Sequence, residues 1–509
     1  MEMEYDLAFL GEMFVRTFTL WWVIVPAIFL GLVVGAIPGF SAANTIIILL
    51  PLTLAMDPEI GLTFMVALYA SSRMGAGIPA ILVNIPGTAG AAATPLDGYP
   101  MTKRGEGQQA LAMSFTASIA GGLLTTFIAL FALPWLSQIA YFLHSVEMIV
   151  IMFFGISLIA TIAAKDTMKG LIAGFFGLMI GFIGTDVVYE TPRGTFGFLE
   201  LYDKIPLIPA LVGLFAVSEA FTVIENRSIV SEDINLSSKK ITSWRQTFNG
   251  VRIAILKWWH VTWNSLIGLV IGVVPGAGAA IASFVAYQQS KTFSKTPELY
   301  GTGHVEGLIA PESANNGVTS GTLVPLLVIG IPGGATAAIM LVVLQYHGVT
   351  VGPDLFMTSP ELAFGPFTAM AATYALMILM VLPLARYMSN ITVVSTVYMV
   401  PTIIAFTLVG SFVPRAYLFD MNLALVFGII GYVARKTGYH VAAILIGIIL
   451  GPLMETYFLR AMRMSEGDVM VIFSSTIGNT LWVLLVISMV LPYVIDKRRK
   501  NINTNAAND

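Results

Sequence analysis

The chain has 509 residues, 57% of them hydrophobic and only 11% charged; 26 basic and 29 acidic residues leave a net charge of −3. Soluble domains carry roughly 25% charged residues, so a soluble globule is excluded. The mean hydropathy of +0.83 excludes disorder, and the slight acidity argues against a nucleic-acid binder. There is no cysteine, hence no disulfide, Fe–S cluster or thiolate zinc site, and five scattered histidines argue against a histidine-rich metal centre. Lipid must be the solvent for most of the chain.

Glu2, Glu4 and Asp6 open the sequence, unlike the basic start of a conventional cleaved secretory signal. Apolar stretches long enough to cross about 30 Å of hydrocarbon as helices follow at 17–37, 107–133, 138–163, 168–186, 205–222, 365–385, 391–412, 420–435, 440–455 and 470–494. Those ending at 435 and 455 are short and call for extension into their flanks. Regions 38–100 and 265–350 are apolar but cut by Gly and Pro, too broken for simple spans. The fold expected is an all-α polytopic membrane protein with about 10–12 transmembrane helices, plus Pro-Gly-broken re-entrant or discontinuous segments. Residues 226–257 carry Arg227, Lys239, Lys240, Arg245, Arg252 and Lys257 and read as a basic cytoplasmic linker, with an amphipathic helix near Trp244.

The two broken regions match. Gly31-Leu-Val-Val-Gly35-Ala-Ile-Pro38-Gly39 recurs 237 residues later as Gly268-Leu-Val-Ile-Gly272-Val-Val-Pro275-Gly276. Gly75, Pro79 and Ile85-Pro86-Gly87 recur 246 residues later as Gly321, Pro325 and Ile331-Pro332-Gly333. The nine-residue difference fits an insertion within 288–304. This is an internal duplication: a first repeat at 1–225, a linker at 226–260, and a second repeat at 261–509 with an extra C-terminal helix and polar tail. Lys103, Arg104, Lys165, Lys169 and the run Lys497 to Lys500 fall on the cytoplasmic side by the positive-inside rule. The equivalent loop of the second repeat carries Asp354 and Glu361 without Lys or Arg, which places it outside. Two inverted structural repeats result, with a periplasmic N-terminus and a cytoplasmic C-terminus.

Non-helical backbone at membrane depth survives only buried in protein or lining a wet cavity. Pro-Gly breaks free carbonyls that suit Na⁺ and N–H groups that suit carboxylates, and paired breaks in inverted halves point to a transporter's central site. Tight packing is the competing explanation for Gly31, Gly35, Gly268 and Gly272. Polar candidates cluster beside the breaks. For substrate they are Pro38, Gly39, Ser41, Asn44, Arg73, Asn84, Pro86, Gly87, Thr88, Pro275, Gly276, Gly278, Asn315, Asn316, Pro332, Gly333 and Gly334. For a coupling cation they are Thr45, Ser72, Thr94, Asp97, Glu312, Thr319 and Thr336, with Na⁺ ligands otherwise unassigned. Arg73 is either a bidentate carboxylate partner or a snorkelling arginine; Asp97 and Glu312 either bind Na⁺ or a proton or cap helices. Glu147 and His144 mark either a proton path or a bend between apolar runs. Tyr69 and Tyr287 are candidate wall residues.

At these motifs the sequence resembles the TctA family, the large membrane subunit of tripartite tricarboxylate transporters. The likeness includes Gly35-Ala-Ile-Pro38-Gly39, Asn84-Ile-Pro86-Gly87-Thr88-Ala-Gly90 and Thr94-Pro-Leu-Asp97-Gly98-Tyr99-Pro100. In the second half it includes Pro275-Gly276-Ala-Gly278, Ala310-Pro311-Glu312-Ser313-Ala314-Asn315-Asn316, Gly330-Ile331-Pro332-Gly333 and His347-Gly348. Ser313, where the family often has alanine, and Gly333-Gly334, where small polar residues often follow Pro-Gly, are its departures. The resemblance implies a secondary transporter of the bacterial inner membrane that imports organic tri- or dicarboxylates by alternating access. An Na⁺ or H⁺ gradient would drive it, with no other cofactor. It also implies two partners, a small four-helix TctB-like membrane subunit and a periplasmic TctC-like binding protein. The alternatives are a gradient-independent channel and a stand-alone carboxylate carrier. No Ser-His-Asp constellation, HExxH or P-loop stands out to suggest an intramembrane enzyme.

Overall fold

A computed structural model of the chain describes residues 7–37, 41–140, 142–153, 167–186, 189–225, 244–274, 278–384 and 396–486. Helices dominate. The chain begins with α1 (Leu7–Thr19), α2 (Trp21–Gly35), α3 (Ala42–Ile48), α4 (Leu50–Leu54), α5 (Pro58–Gly75), α6 (Gly77–Val83), α7 (Pro95–Lys103) and α8 (Gly107–Ala140). Next come α9 (residues 145–153), α10 (Thr167–Gly181), the hairpin β1 (Gly184–Thr185) and β2 (Pro192–Arg193), α11 (Leu207–Val212) and α12 (Ser218–Glu225). Helix α13 (Trp244–Leu256) is followed by α14 (Trp258–Val273), α15 (Gly278–Phe293), α16 (Val305–Ile329), α17 (Ala335–Tyr346), α18 (Leu355–Thr358) and α19 (Pro360–Leu384). Helices α20 (Thr396–Phe412), α21 (Leu418–Thr437), α22 (Val441–Met464) and α23 (Thr476–Val486) complete the described chain. It is an all-α polytopic membrane protein.

Among the described residues five single helical spans are long and apolar enough to cross a bilayer: Pro58–Val83, Gly107–Leu136, Pro360–Val381, Leu418–Thr437 and Val441–Met464. A sixth is the pair Ala8–Thr19 and Trp21–Gly35, bent by 67° at Leu20. The last two single spans extend the apolar stretches at 420–435 and 440–455 as their shortness required. The first broken region differs from expectation, because α5 and α6 run on with only Ala76 between them. Pro79 interrupts that run mildly, since it sits in the first turn of α6, where its missing N–H has no helical partner to lose. The expected span at 205–222 is one continuous helix, Leu207–Thr222, in which a π-turn at Gly213–Val217 joins α11 to α12.

The matched motifs make matched local contacts. Helix α2 packs on α5 as α14 packs on α16, through the same glycines. A Cβ on Gly31 would fall 2.7 Å from the Leu68 carbonyl oxygen, and one on Gly268 2.2 Å from that of Ala314, the equivalent residue. Gly75 meets the Leu32 carbonyl and Gly321 that of Leu269, at 2.6 and 2.5 Å on the same construction. The four glycines of the GxxxG pairs are therefore packing residues. The ends of α6 and α16 also coincide. Asn84 (φ 63°) and Gly330 (φ 75°) both take the left-handed conformation. Ile85 N–H then donates to the Pro79 carbonyl at 3.3 Å, and Ile331 N–H to the Pro325 carbonyl at 3.2 Å. This is the helix-ending geometry that Gly and Asn alone adopt cheaply.

The described chain divides into two compact units, residues 1–140 with 208–432 and residues 141–207 with 433–509, so each draws on both sequence halves. In the second unit α10 lies along α22, where a Cβ on Gly177 would fall 2.1 Å from the Ile444 carbonyl oxygen. Glu147 accepts from the His144 N–H at 2.9 Å and caps α9, so this pair marks the bend. Asp186 accepts from the N–H groups of Tyr189 and Thr191 and closes the hairpin turn. The linker residues 226–243, and with them Arg227, Lys239 and Lys240, lie outside the described residues.

Candidate functional site

Arg73 stands in the last turn of α5 and faces α16. Its Nη1 donates to Asn315 Oδ1 at 3.2 Å, while Asn315 Nδ2 donates to the Arg73 carbonyl at 3.2 Å. Nη2 donates to Tyr69 Oη at 2.8 Å, and the guanidinium lies 5.0 Å from the centre of the Tyr69 ring. Tyr69 Oη also shares a hydrogen bond with Thr322. By the 246-residue spacing, Tyr69 and Asn315 are equivalent positions, as are Arg73 and Thr319. The pair thus joins residues of the two matched motif regions. Among the described residues no carboxylate forms an ion pair with Arg73. The guanidinium is half-buried, and its fork of donors is incompletely used. Gly90 lies against it: a Cβ there would meet Asn315 Oδ1 at 2.3 Å and Arg73 Nη1 at 3.0 Å. Ser283 of α15 donates to the Gly90 carbonyl, which ties the loop after the first break to the second copy.

One turn before Asn315 lies Glu312, fully buried. Thr94 Oγ1 donates to its Oε1 at 2.5 Å and Ser118 Oγ of α8 to its Oε2 at 3.0 Å. The backbone of α6 approaches this carboxylate closely enough that a Cβ on Gly77 would meet both oxygens at 3.0 and 3.2 Å. Further along α16, Tyr374 of α19 donates to Asn316 Oδ1 at 3.3 Å and shares a 3.0 Å hydrogen bond with Thr319. Gly122 makes room for that tyrosine, since a Cβ there would fall 2.1 Å from the ring.

Asp97, a candidate for cation coupling, is buried and hydrogen-bonded through both oxygens. Its Oδ1 accepts from the N–H groups of Gly301, Gly303 and His304 at 2.6–2.9 Å, and its Oδ2 from Tyr287 at 3.0 Å. Those four bonds use its oxygens to pin the inserted loop at the start of α16. Tyr287 is accordingly a clamp on Asp97. Tyr300 of the loop packs edge-on against Tyr287 at 5.6 Å and donates to Glu306. Burial, then the Glu306 carboxylate, push its phenol above the ordinary value, so it stays a neutral donor.

The other candidates scatter around this centre. Ser41 caps α3 by accepting from the Asn44 N–H at 3.3 Å, and Thr45 donates to the Ser41 carbonyl. Asn84 is exposed at its turn; Pro86 and Pro332 follow the two left-handed residues. Gly87 packs against the Gly35 carbonyl and Ala76, and Gly333 against Thr322, again at equivalent positions. Gly278 is left-handed (φ 67°) with open space beside it, and Gly334 is extended at the start of α17. Ser72 and Thr88 carry buried hydroxyls without a hydrogen-bond partner, and Thr336 is buried in the first turn of α17. Pro38, Gly39, Pro275 and Gly276 lie outside the described residues. Ser118 and Tyr374 were not legible as site residues. A separate cavity of about 490 Å³ in the second unit is lined by Phe153, Phe182, Phe458 and Trp482 with the Arg193–Glu455 ion pair, and holds none of the candidates.

Paired broken helices around a buried polar centre, in a chain built largely of apolar helices, define a multi-pass membrane protein of the transporter class. A family model described as "Tripartite tricarboxylate transporter TctA family" matches residues 20–446. The chain belongs to the TctA family, and is thus a large subunit of a tricarboxylate transporter. It is 31% identical over 479 residues, 93% of each chain, to an uncharacterized 52.8 kDa protein in the TAR-I ttuC' 3' region of Agrobacterium vitis. An uncharacterized protein in the TAR-II ttuC' 3' region of the same organism is 34% identical over 234 residues, 45% of this chain and 97% of that one. No solved structure matches the chain.

Proposed function

We propose that this chain is the permease subunit of a binding-protein-dependent secondary transporter that imports organic carboxylates by alternating access, driven by a gradient of Na⁺ or H⁺. The observation that carries this reading is Arg73: a half-buried guanidinium on the joint between two copies, held by neutral partners. A fixed cation without a carboxylate partner favours an incoming carboxylate, and a planar fork matches its two oxygens. Asn315 and the Tyr69 hydroxyl supply further neutral polar groups beside it. Neutral partners suit a transporter, because a substrate gripped by many fixed charges would leave slowly. Moving the two copies relative to each other would alter the Arg73–Asn315 pair directly, which ties access to occupancy.

The partners in this reading are a TctB-like small membrane subunit and a TctC-like periplasmic protein that delivers the carboxylate. The subunit sits in the bacterial inner membrane, its N-terminus periplasmic and its basic C-terminus cytoplasmic, as the distribution of Lys and Arg supports. The test is uptake of radiolabelled carboxylate into proteoliposomes holding both membrane subunits, with and without the binding protein. The reading expects uptake that needs the binding protein and collapses when the Na⁺ and proton gradients are dissipated. Flux that ignores the gradients would make the protein a channel, and full uptake without the binding protein would make it a stand-alone carrier.

A further inference from the structure

We propose that Glu312, Thr94, Ser114 and Ser118 form a site for one monovalent metal cation, Na⁺, next to the Arg73–Asn315 pair. The starting point is an electrostatic imbalance. Glu312 has no exposed surface, and among the described residues no Lys, Arg or His forms an ion pair with it. An ionised carboxylate taken wholly out of water costs several kcal/mol unless a positive charge accompanies it. Hydroxyl donors from Thr94 and Ser118 soften that cost but supply no charge.

A second observation is independent of the first. Ser114 lies one turn before Ser118 on the same face of α8 and is itself fully buried. Its hydroxyl lies beside the Glu312 carboxylate and has no hydrogen-bond partner. The Glu312 carboxylate and the hydroxyls of Thr94 and Ser118 converge from three segments of the chain, with the unpartnered Ser114 hydroxyl one turn away on α8. A protonated carboxyl offers its single O–H to one neighbour. A hard cation takes oxygen lone pairs from every side, and so accounts for Ser114 as well. One carboxylate balances one positive charge, and among the described residues no group of three or more His, Asp or Glu side chains gathers to hold a metal ion. That donor set favours a monovalent over a divalent ion.

The position gives the site a role, and this part rests on the carboxylate-transport reading. Glu312 and Asn315 are three residues apart on α16, which places their side chains on one face about 5–6 Å apart at Cβ. With no cation, the negative charge of Glu312 repels a carboxylate approaching Arg73. With the cation bound, that repulsion is cancelled. Na⁺ and substrate then strengthen each other's binding by the same factor, as linkage requires.

The test uses the purified full chain in nanodiscs without substrate. Its thermal unfolding is followed against NaCl, with KCl or choline chloride holding ionic strength constant. Saturable stabilisation specific to Na⁺ is expected. Ser114→Ala should raise the half-saturating Na⁺ concentration roughly tenfold. The same variant should leave the Tm in choline chloride unchanged, because its hydroxyl makes no hydrogen bond to lose. Glu312→Gln should abolish the Na⁺ response. Equal effects of Na⁺, K⁺ and choline on the wild type would overturn the proposal, as would an unaltered half-saturation in Ser114→Ala. Stabilisation that follows pH and ignores Na⁺ would overturn it in favour of a proton. Loss of carboxylate uptake with this Na⁺ response intact would strike the transport reading alone.

Discussion

Asn84 and Gly330 end their helices in the same left-handed conformation, and Ile85 and Ile331 close the same backbone hydrogen bond behind them. The helices leading into these two breaks nevertheless carry opposite chemistry. The first copy supplies Arg73, where the second has Thr319; the second supplies Glu312, where the first has Val66. Duplication has preserved what the backbone needs and divided the charges. A symmetric pair of arginines or of glutamates would repel itself in a medium of low dielectric. One charge of each sign, each kept among neutral partners, avoids that repulsion.

The comparison can be broken most severely at the glycines that pack the breaks. Gly87→Ala would put a Cβ 2.2 Å from the Gly35 carbonyl oxygen, and Gly333→Ala one 2.8 Å from Thr322 Cα. Both should lose roughly 3 kcal/mol or more in unfolding measurements, because backbone must move. Gly334→Ala, one residue along with an extended backbone and open space, should be silent. If Gly87 and Gly333 differ sharply, the copies are not equivalent scaffolds. Next in size is Asp97→Ala, which strips three loop N–H groups and Tyr287 of their acceptor. A loss of about 3 kcal/mol is expected, with the 300–304 loop becoming open to proteases. That loop belongs to the insertion peculiar to the second copy, so the first copy has no counterpart to damage. The smallest effect is at the turn itself. Asn84→Ala should cost about 1 kcal/mol, because alanine pays the left-handed penalty that asparagine partly avoids. Asn84→Gly should be neutral or stabilising by roughly 0.5 kcal/mol.

The matched turns and glycine contacts were legible because Pro and Gly report backbone demands directly: a left-handed turn or a helix contact leaves few residues to choose from. Arg73, Asn315 and Glu312 were legible because charge and amide are rare in apolar helices. The hydroxyl partners were not. Ser71, Thr116, Thr125 and Thr126 all turn back to a carbonyl four residues earlier, the ordinary behaviour of hydroxyls in such helices. Nothing in the sequence separates Ser114 or Ser118 from them. Tyr374 was hidden in the same way, as an aromatic in an apolar stretch, although Gly122 beneath it was a clue that needed the helix pairing to be read. The sequence shows Asp97 only as an acid near a break. Only the inserted loop, folded over it, reveals its bonds. The continuity of α5 into α6 was missed because a proline in the first turn of a helix looks, in sequence, like one that breaks it.

The central claim is that Arg73 receives the substrate's carboxylate. Binding-protein-dependent uptake by the reconstituted transporter should therefore be compared among the wild type, Arg73→Lys and Arg73→Gln, with each variant first shown to be folded and monodisperse. Loss of a charge-assisted hydrogen-bonded contact is worth about 1.5–3 kcal/mol, so uptake by Arg73→Gln should fall by one to two orders of magnitude. Arg73→Lys should lie between, since lysine keeps the charge without the planar fork. Wild-type uptake by Arg73→Gln would contradict the account.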